Sequence, residues 1–207
     1  MNSKKGILLI ISGPSGAGKG ELVKQLRKSA PEGFFAYSVS ATTRAAREGE
    51  KHGENYYFLT REEFEQRIAL GDMLEYAEYC GNYYGTPRGE IETKLNEGVN
   101  VILEIEVQGA ANVKKRMPDA VAVMIAPPDY PNLERRLRGR GTNTEEDIQH
   151  RLARAKEELS LLPGYDYLVI NYDGMLDKAV EDIFAILKVE QSRVLRNPDF
   201  VSEFYSK

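Results

Sequence analysis

A glycine-rich loop follows an apolar run near the start of the chain. The run Ile7–Ile11 is typical of a buried strand, and the loop reads Gly13-Pro14-Ser15-Gly16-Ala17-Gly18-Lys19. Glycines let consecutive backbone N–H groups turn toward one anion, and the next segment, Glu21–Arg27, is predicted to be a helix with its positive end at that anion. Strand, loop, lysine and helix in this order predict a site for a nucleoside triphosphate, with Lys19 on its outer phosphates.

The position after Lys19 departs from the usual form of such a loop. A Ser or Thr hydroxyl normally holds Mg²⁺ there, whereas this chain has Gly20 followed by Glu21. Because Mg²⁺ keeps several water ligands in most proteins, a water can replace the hydroxyl. The phosphate site is therefore still expected, while the ligands of the metal are left open.

Composition bounds the kind of protein this can be. The 207 residues allow one core with smaller insertions, and 42% hydrophobic with 29% charged residues is ordinary for a soluble globular protein. The net charge of −4 does not favour a broad nucleic-acid surface. Cys80 is the single cysteine, so it excludes an internal disulfide, and it is interpreted as a packing residue. Ile7–Ile11 is too short for a signal peptide or a membrane span, so a cytoplasmic location with no membrane partner is expected.

Apolar runs alternate with helical patterns along the chain. Strands are predicted at Ile7–Ile11, Val99–Ile105, Ala120–Ile125 and Tyr167–Ile170. Helices are predicted at Glu90–Asn96, Gln108–Arg116, Tyr130–Arg138, Thr144–Leu161 and Leu176–Leu195. This alternation predicts an α/β fold: a parallel-sheet core with helices on both faces, comprising residues 5–35, 87–135 and 155–196, with a tail over 197–207.

Two insertions into this core are predicted. The first, residues 36–86, is called the small lobe; short β-rich runs (Tyr37–Val39, Tyr56–Leu59 and Met73–Tyr79) surround one helix, Arg61–Leu70. The second, residues 136–154, is called the lid. It is rich in arginine, so it is poorly suited to a core and well suited to closing over phosphates.

The segment Ser40–Arg47 carries two arginines three residues apart. Arg44 and Arg47 can converge on one phosphate, and Tyr56 and Tyr84 can add hydroxyl donors. A solvated charged loop explains the segment equally well.

A carboxylate stands in the strand-like run Met73–Tyr79. Glu75 can accept two parallel hydrogen bonds from the N1–H and N2–H₂ edge of guanine, which adenine does not offer. Hydroxyls of Ser40 and Thr86 can reach guanine O6. The alternative, which the segment alone favours, is that Glu75 is a surface strand residue and Thr86 a turn residue.

An apolar strand ends in two acids, Glu104 and Glu106. The carboxyl edge of a parallel sheet is where open α/β folds bind ligands, so these acids are interpreted as functional rather than merely solvated. Glu104 is expected to hold Mg²⁺ through water, and Glu106 to face an acceptor.

Arginines are dense in the lid. Arg135, Arg136, Arg138 and Arg140 fall within six residues, and Arg151 and Arg154 follow. Such a cluster needs an anion, which the phosphates of a nucleotide supply. A nucleic-acid patch is the competing interpretation, but the acidic segment Glu145-Glu146-Asp147 speaks against it.

These segments together resemble the guanylate kinase family, over residues 6 to about 195. The resemblance is carried by Ser40–Glu50 with Gly53 and Tyr56, by Gly81–Thr86 and by Gly139–Thr142, in this order. It implies transfer of the ATP γ-phosphoryl group to GMP in purine nucleotide metabolism, with Mg²⁺ as cofactor and ATP and GMP as small-molecule partners. Because water must be excluded from such a transfer, both insertions are expected to close on binding. No nucleic-acid partner is implied, and no pattern indicates an oligomeric state.

The resemblance also implies roles for individual residues. The ATP phosphates are expected on Gly13, Pro14, Ser15, Gly16, Ala17, Gly18, Lys19 and Gly20, with Asn171 near adenine. The GMP site is expected to be lined by Ser40, Arg44, Arg47, Tyr56, Glu75, Tyr84, Thr86 and Glu106. The predicted catalytic residues are Lys19, Arg44, Arg136, Arg140 and Arg151.

The chain departs from the family pattern in three places. Gly20-Glu21 lacks the common Ser or Thr, Glu104 and Glu106 stand where aspartates are frequent, and Ala46 replaces a usual proline. Two rival interpretations are another small-acceptor kinase on the same core and a non-catalytic scaffold. The intact loop Gly13–Lys19 argues against a scaffold.

Overall fold

Strands and helices alternate through the protein, whose computed structural model describes residues 5–139 and 144–206. The strands are β1 (Leu8–Ser12), β2 (Phe35–Tyr37), β3 (Ala41–Thr42), β4 (Tyr57–Phe58), β5 (Met73–Tyr79), β6 (Asn82–Pro87), β7 (Asn100–Glu104), β8 (Val121–Ala126) and β9 (Tyr167–Ile170). The α-helices are α1 (Lys19–Ser29), α2 (Arg61–Ala69), α3 (Arg88–Asn96), α4 (Val107–Arg116), α5 (Tyr130–Arg138), α6 (Glu145–Ser160), α7 (Leu176–Gln191) and α8 (Phe200–Tyr205).

The larger sheet has five strands in the order β2-β7-β1-β8-β9, and every pair in it is parallel. Its three central strands, β7, β1 and β8, are buried on both faces because helices cover both. Leu9 and Ile11 pack toward α1 and α7, whereas Leu8 and Ile10 pack toward α3 and α4. The predicted α/β fold with helices on both faces is confirmed.

The parallel arrangement gathers the polar strand ends at one edge. β1 runs into the glycine-rich loop, β7 ends at Glu104, and β9 is followed by Asn171. In the pairing of β1 with β7, Ile11 lies opposite Glu104. This edge therefore holds both the phosphate loop and the predicted acids.

The smaller sheet has the order β4-β3-β6-β5 and is mixed, since β3 and β4 are parallel and the other pairs antiparallel. Ala41, Phe64 and Met73 form its own buried cluster. The predicted strand Tyr37–Val39 differs from the observed one: β2 ends at Tyr37 and pairs with β7 in the larger sheet.

Cys80 lies in the turn between β5 and β6 and is exposed, so its interpretation as a packing residue is wrong. Its φ is 49° and that of Gly81 is 74°. A two-residue hairpin turn of this kind requires positive φ at both central positions, which places the thiol at the tip, away from any core.

Helices α5 and α6 pack against each other through a small apolar cluster. Its members are Leu133, Leu137, Ile148, Leu152 and Ala155. The expectation that the lid is unsuited to a core is therefore wrong for its described residues, because arginines occupy one helix face while leucines and Ile148 occupy the other. Arg140 lies outside the described residues. The predicted start of α6 is confirmed, since Thr144 and Asp147 form a capping box.

Helix α7 ends four residues before the predicted Leu195. Arg193 has extended backbone angles, φ −61° and ψ 134°, and a short 3₁₀ turn, Val194–Arg196, follows. Both Arg193 and Arg196 fold back to the carboxylate of Glu190, at 3.3 Å each. Within the described residues, no helix combines the length and the apolar composition needed to cross a membrane.

Candidate active site

The glycine-rich loop is held in a shape that only glycine permits. Gly13, Gly16 and Gly18 have φ of 148°, 93° and 85°. A Cβ at Gly13 would lie 2.1 Å from the carbonyl oxygen of Ile125, and one at Gly18 would lie 2.5 Å from the amide nitrogen of Asn171. Helix α1 begins directly after the loop, so its unpaired N–H groups face the space that the loop encloses.

Lys19 is the first residue of α1, and its ammonium group lies over the loop. Nζ donates to the carbonyl oxygens of Gly13 at 2.5 Å and of Pro14 at 3.2 Å. Glu104, at the end of the neighbouring strand, is half-buried: burial raises the pKa of its carboxyl, and the charge of Lys19 opposes that rise. Lys19 is thus held against the loop, and its contact with the outer phosphates of a nucleotide stays a prediction.

Asn171 and Arg136 support the loop from its far side. The buried amide of Asn171 donates to the carbonyl oxygen of Ala17 at 2.9 Å, so in this structure it contacts the loop, and its role near adenine stays a prediction. Arg136 donates to the carbonyl of Asn171 at 2.6 Å and to Asp173 Oδ1 at 2.6 and 2.8 Å. Sequence reasoning missed Asp173, whose signal is an acid two residues after Asn171.

Arg151 connects α6 to the loop. Its Nη1 donates to Ser15 Oγ at 3.1 Å. Together with Arg154, His150 and Glu158 it faces a cavity of about 450 Å³ whose other wall contains Gly13, Lys19 and Glu106. The cavity therefore brings the lid helix, the phosphate loop and one of the predicted acceptor residues together.

Arg44 is held by a carboxylate that sequence reasoning missed. Its Nη1 and Nη2 lie 3.0 and 2.9 Å from the two oxygens of Glu50, and Glu50 also accepts from the backbone N–H of Arg47 at 2.7 Å. The Arg44 guanidinium lies over the ring of Tyr56, 5.6 Å from its centre, and the rings of Tyr56 and Tyr84 are 6.2 Å apart. Arg44, Tyr56 and Tyr84 are thus brought together, whereas the side chain of Arg47 is exposed.

If Arg44 binds the phosphate of GMP, as the resemblance implies, we expect Glu50→Gln to raise KM for GMP about five- to tenfold with little change in kcat. The reason is that Glu50 orients Arg44 and the turn before Arg47, and both side chains of the pair are mostly shielded, at 16% and 20% exposure. Initial-rate kinetics with varied GMP measure the effect.

Glu54→Gln is the matched control, because Glu54 lies in the same loop in an exposed ion pair with Lys51. It should leave KM unchanged. A lower KM in Glu50→Gln would contradict the orienting role and would mean that Glu50 competes with the phosphate for Arg44.

Glu75 and Thr86 face each other across β5 and β6. Thr86 is fully buried, and its hydroxyl donates to Glu75 Oε1 at 2.6 Å. Burial raises the pKa of the Glu75 carboxyl, and the hydrogen bond from Thr86 opposes that rise. Gly109 of α4 lies close by, since a Cβ there would be 3.4 Å from Glu75 Oε2. Glu75 is therefore a shielded acceptor, not the surface strand residue of the alternative interpretation.

The remaining predicted residues lie around these groups. Ser40 precedes β3, and its carbonyl accepts from the backbone N–H of Tyr57 at 2.8 Å. Glu106 is the N-cap residue of α4 and forms an ion pair with Arg154 of α6. Its side chain is 71% exposed, so it stands at the mouth of the cleft.

A parallel sheet with a phosphate loop at its carboxyl edge and arginines of a separate helix facing that loop defines the class of P-loop phosphotransferases. The family model described as guanylate kinase matches residues 5–190. The chain belongs to the guanylate kinase family and is a phosphotransferase enzyme.

Individual relatives agree with this assignment. A guanylate kinase of Streptococcus thermophilus (strain CNRZ 1066) is 51% identical over 194 residues, which cover 94% of this chain and 91% of that protein. One of Streptococcus pyogenes serotype M3 (strain ATCC BAA-595 / MGAS315) is 52% identical over 194 residues, covering 94% and 90%. The crystal structure of guanylate kinase from Anaplasma phagocytophilum superimposes with a TM-score of 0.68 at 34% identity, covering 95% of this chain and 92% of that one.

Proposed function

We propose that this chain transfers the γ-phosphoryl group of ATP to GMP, giving ADP and GDP. Membership of the guanylate kinase family indicates this reaction and does not favour another acceptor kinase or a non-catalytic scaffold. The observation that carries the proposal at the level of the site is the cavity beside α6, which is lined by Gly13 and Lys19 of the phosphate loop and by Glu106 of the acceptor side.

On the donor side, the loop Gly13–Gly18 and the start of α1 would hold the ATP phosphates through backbone N–H groups. Lys19 would move from the loop carbonyls to the outer phosphates, where its charge offsets theirs. Arg136 and Arg151 already contact the loop or the residues behind it, so they would need only short movements to reach a bound γ-phosphate.

On the acceptor side, Arg44 would bind the phosphate of GMP, with Arg47, Tyr56 and Tyr84 completing the group. Glu75 and Glu106 would accept from the N1–H and N2–H₂ edge of guanine, and the hydroxyls of Ser40 and Thr86 would reach O6. Adenine has no donor pair at this edge, so these carboxylates would discriminate between the purines.

The transfer itself requires charge stabilisation more than covalent chemistry. An oxygen of the GMP phosphate attacks the γ-phosphorus in line, the bond from γ-phosphorus to the bridging oxygen breaks, and ADP leaves with that oxygen. Lys19 and the arginines reduce the repulsion between the two anions and stabilise charge in the transition state. Closure of the small lobe and the lid would exclude water, which would otherwise be phosphorylated in place of GMP.

Mg²⁺, which the family implies, fits the residues beside Lys19. A Cβ at Gly20 would lie 3.8 Å from Glu104 Oε1, so the carboxylate faces the space that Gly20 leaves open. One carboxylate with water and phosphate oxygens is a usual ligand set for this ion, and Glu104 would hold it through water. When bound, Mg²⁺ neutralises charge on the phosphate oxygens.

A coupled assay of ADP formation with GMP, AMP, UMP or no acceptor tests the proposed function. We expect GMP to be used at least about a hundredfold better than AMP or UMP, since adenine offers the shielded Glu75 carboxylate no ring N–H and uracil offers it one donor instead of two. Comparable rates with AMP or UMP would contradict guanine recognition, and an equal rate without acceptor would contradict phosphoryl transfer to a nucleotide.

A further inference from the structure

Helix α6 presents one row of polar side chains to the cavity beside the phosphate loop. The row, which we call the α6 row, consists of Asp147, His150, Arg151, Arg154 and Glu158. Spacings of three and four residues place these side chains on one helix face. The α6 row contacts both halves of the cleft: Arg151 donates to Ser15 of the phosphate loop, and Arg154 forms an ion pair with Glu106.

Arg154 contacts two carboxylates, one shielded from solvent and one exposed. Its Nε donates to Glu158 Oε1 at 2.9 Å, and its Nη2 donates to Glu106 Oε2. The side chain of Glu158 is 11% exposed, whereas that of Glu106 is 71% exposed. The shielded Glu158 fixes the position of the Arg154 guanidinium. Arg154 in turn restrains the exposed carboxylate of Glu106. Without Arg154, the Glu106 carboxylate would rotate freely in solvent.

The position of Glu106 makes such a restraint useful. Glu106 caps α4 without a hydrogen bond from its side chain to the helix, so α4 itself does not orient the carboxylate. An arginine on Oε2 leaves the lone pairs of Oε1 available to an N–H donor, and a charged partner fixes the plane of the carboxylate. A carboxylate oriented beforehand loses less entropy when it binds a base.

We propose that Arg154 is a positioning residue for the acceptor nucleotide, which orients the Glu106 carboxylate toward the guanine edge and ties the lid to the acceptor site. The proposal rests on the proposed function, in which Glu106 accepts from guanine. Arg154 and Arg151 belong to the same helix, so α6 contacts both the phosphate loop and Glu106. A movement of α6 on closure would therefore act on both.

Arg154→Gln tests the proposal, with Arg138→Gln as the matched control. Arg138 is a lid arginine of similar exposure, 41% against 45%, and it also joins two carboxylates, Glu134 and Glu145. We expect Arg154→Gln to raise KM for GMP about three- to tenfold, with kcat and KM for ATP within about twofold of the parent. Arg154→Lys should recover part of the loss, and Arg138→Gln should change none of the three constants.

Combining Arg154→Gln with Glu106→Gln separates positioning from a general structural effect. If Arg154 acts through Glu106, the double variant should have the KM for GMP of Glu106→Gln alone. The proposal would be overturned if the fold-increases in KM for GMP of the two single variants multiplied in the double variant, or if Arg154→Gln left KM for GMP unchanged. Equal losses in kcat and both KM values, together with a lower Tm, would also overturn it. An unchanged KM in Glu106→Gln would contradict the proposed role of Glu106 and the proposal with it, whereas multiplying effects contradict only the positioning role.

Discussion

Lys19→Met is expected to lower kcat about a hundred- to a thousandfold with saturating GMP, because it removes the positive charge proposed to offset the outer phosphates and keeps the length of the side chain. The ammonium group now lies 2.5 Å from the Gly13 carbonyl oxygen, so a short rotation brings it to a phosphate on the loop. Lys19→Arg should not restore the rate, since the broader planar guanidinium does not fit the place of a compact ammonium. Single-turnover rates with saturating nucleotides measure the effect.

Lys24→Met is the control for this prediction. Lys24 is an exposed lysine on the same helix and lies outside the cavity that Lys19 lines. It lines, with Arg27 and Lys28, a neighbouring groove that extends to Gly20 and Glu104. Its replacement should leave kcat within about twofold of the parent. If Lys19→Met kept more than a tenth of the parent rate, the lysine would not stabilise the transferring phosphoryl group.

Glu75→Gln is expected to lower kcat/KM for GMP about a hundredfold while leaving the protein as stable as the parent or more so. Glutamine presents an amide N–H₂ to a base edge that is itself a donor, so one hydrogen bond is lost and a donor faces a donor. Stability is expected to hold because burial raises the pKa of the Glu75 carboxyl. A raised pKa means that the ionised carboxylate destabilises the folded state near neutral pH. A neutral side chain removes this free-energy cost of burying a charge.

Glu78→Gln on the same strand is the control, because Glu78 is exposed and pairs with Arg61. It should leave kcat/KM unchanged. Kinetics with GMP and thermal melting of both variants are the measurements. A Glu75→Gln variant that turned over GMP within a few-fold of the parent would exclude guanine recognition through this carboxylate, and a large drop in Tm would instead indicate a structural role.

The three central strands of the larger sheet, β7, β1 and β8, could be predicted from the sequence because they are buried on both faces. Such strands are continuous apolar runs, as in Val121–Ala126, and need no partner to be recognised. The strands β3 and β6 were not predicted. β3 has only two residues, and β6 contains Gly85, where a Cβ would lie 2.7 Å from the carbonyl oxygen of Glu75. The close approach of the neighbouring strand requires glycine there, and glycine weakens a strand pattern.

For the candidate site, the sequence indicates which residues to consider, and their roles stay predictions; it does not indicate which of them contact each other. The phosphate loop is local in the chain, and the structure places Gly13–Lys19 as expected. Glu50 belongs to the same motif as Arg44, but two arginines three residues apart predict a shared phosphate and do not indicate that a carboxylate binds one of them. The ion pair of Arg154 with Glu106 joins residues 48 positions apart, and no spacing in the sequence indicates it.

The sequence by itself determined the local structures: the buried strands, the loop that only glycines can form, and the capped start of α6. Each of these structures depends on residues that are close together in the chain, so one short segment of the sequence is enough to predict it. Only the tertiary structure decided which carboxylate holds which arginine, that Asn171 contacts the phosphate loop, and that Glu75 is shielded beside Thr86. Those facts depend on distances between segments that the fold brings together, and hydrogen bonds and ion pairs act only over a few ångströms.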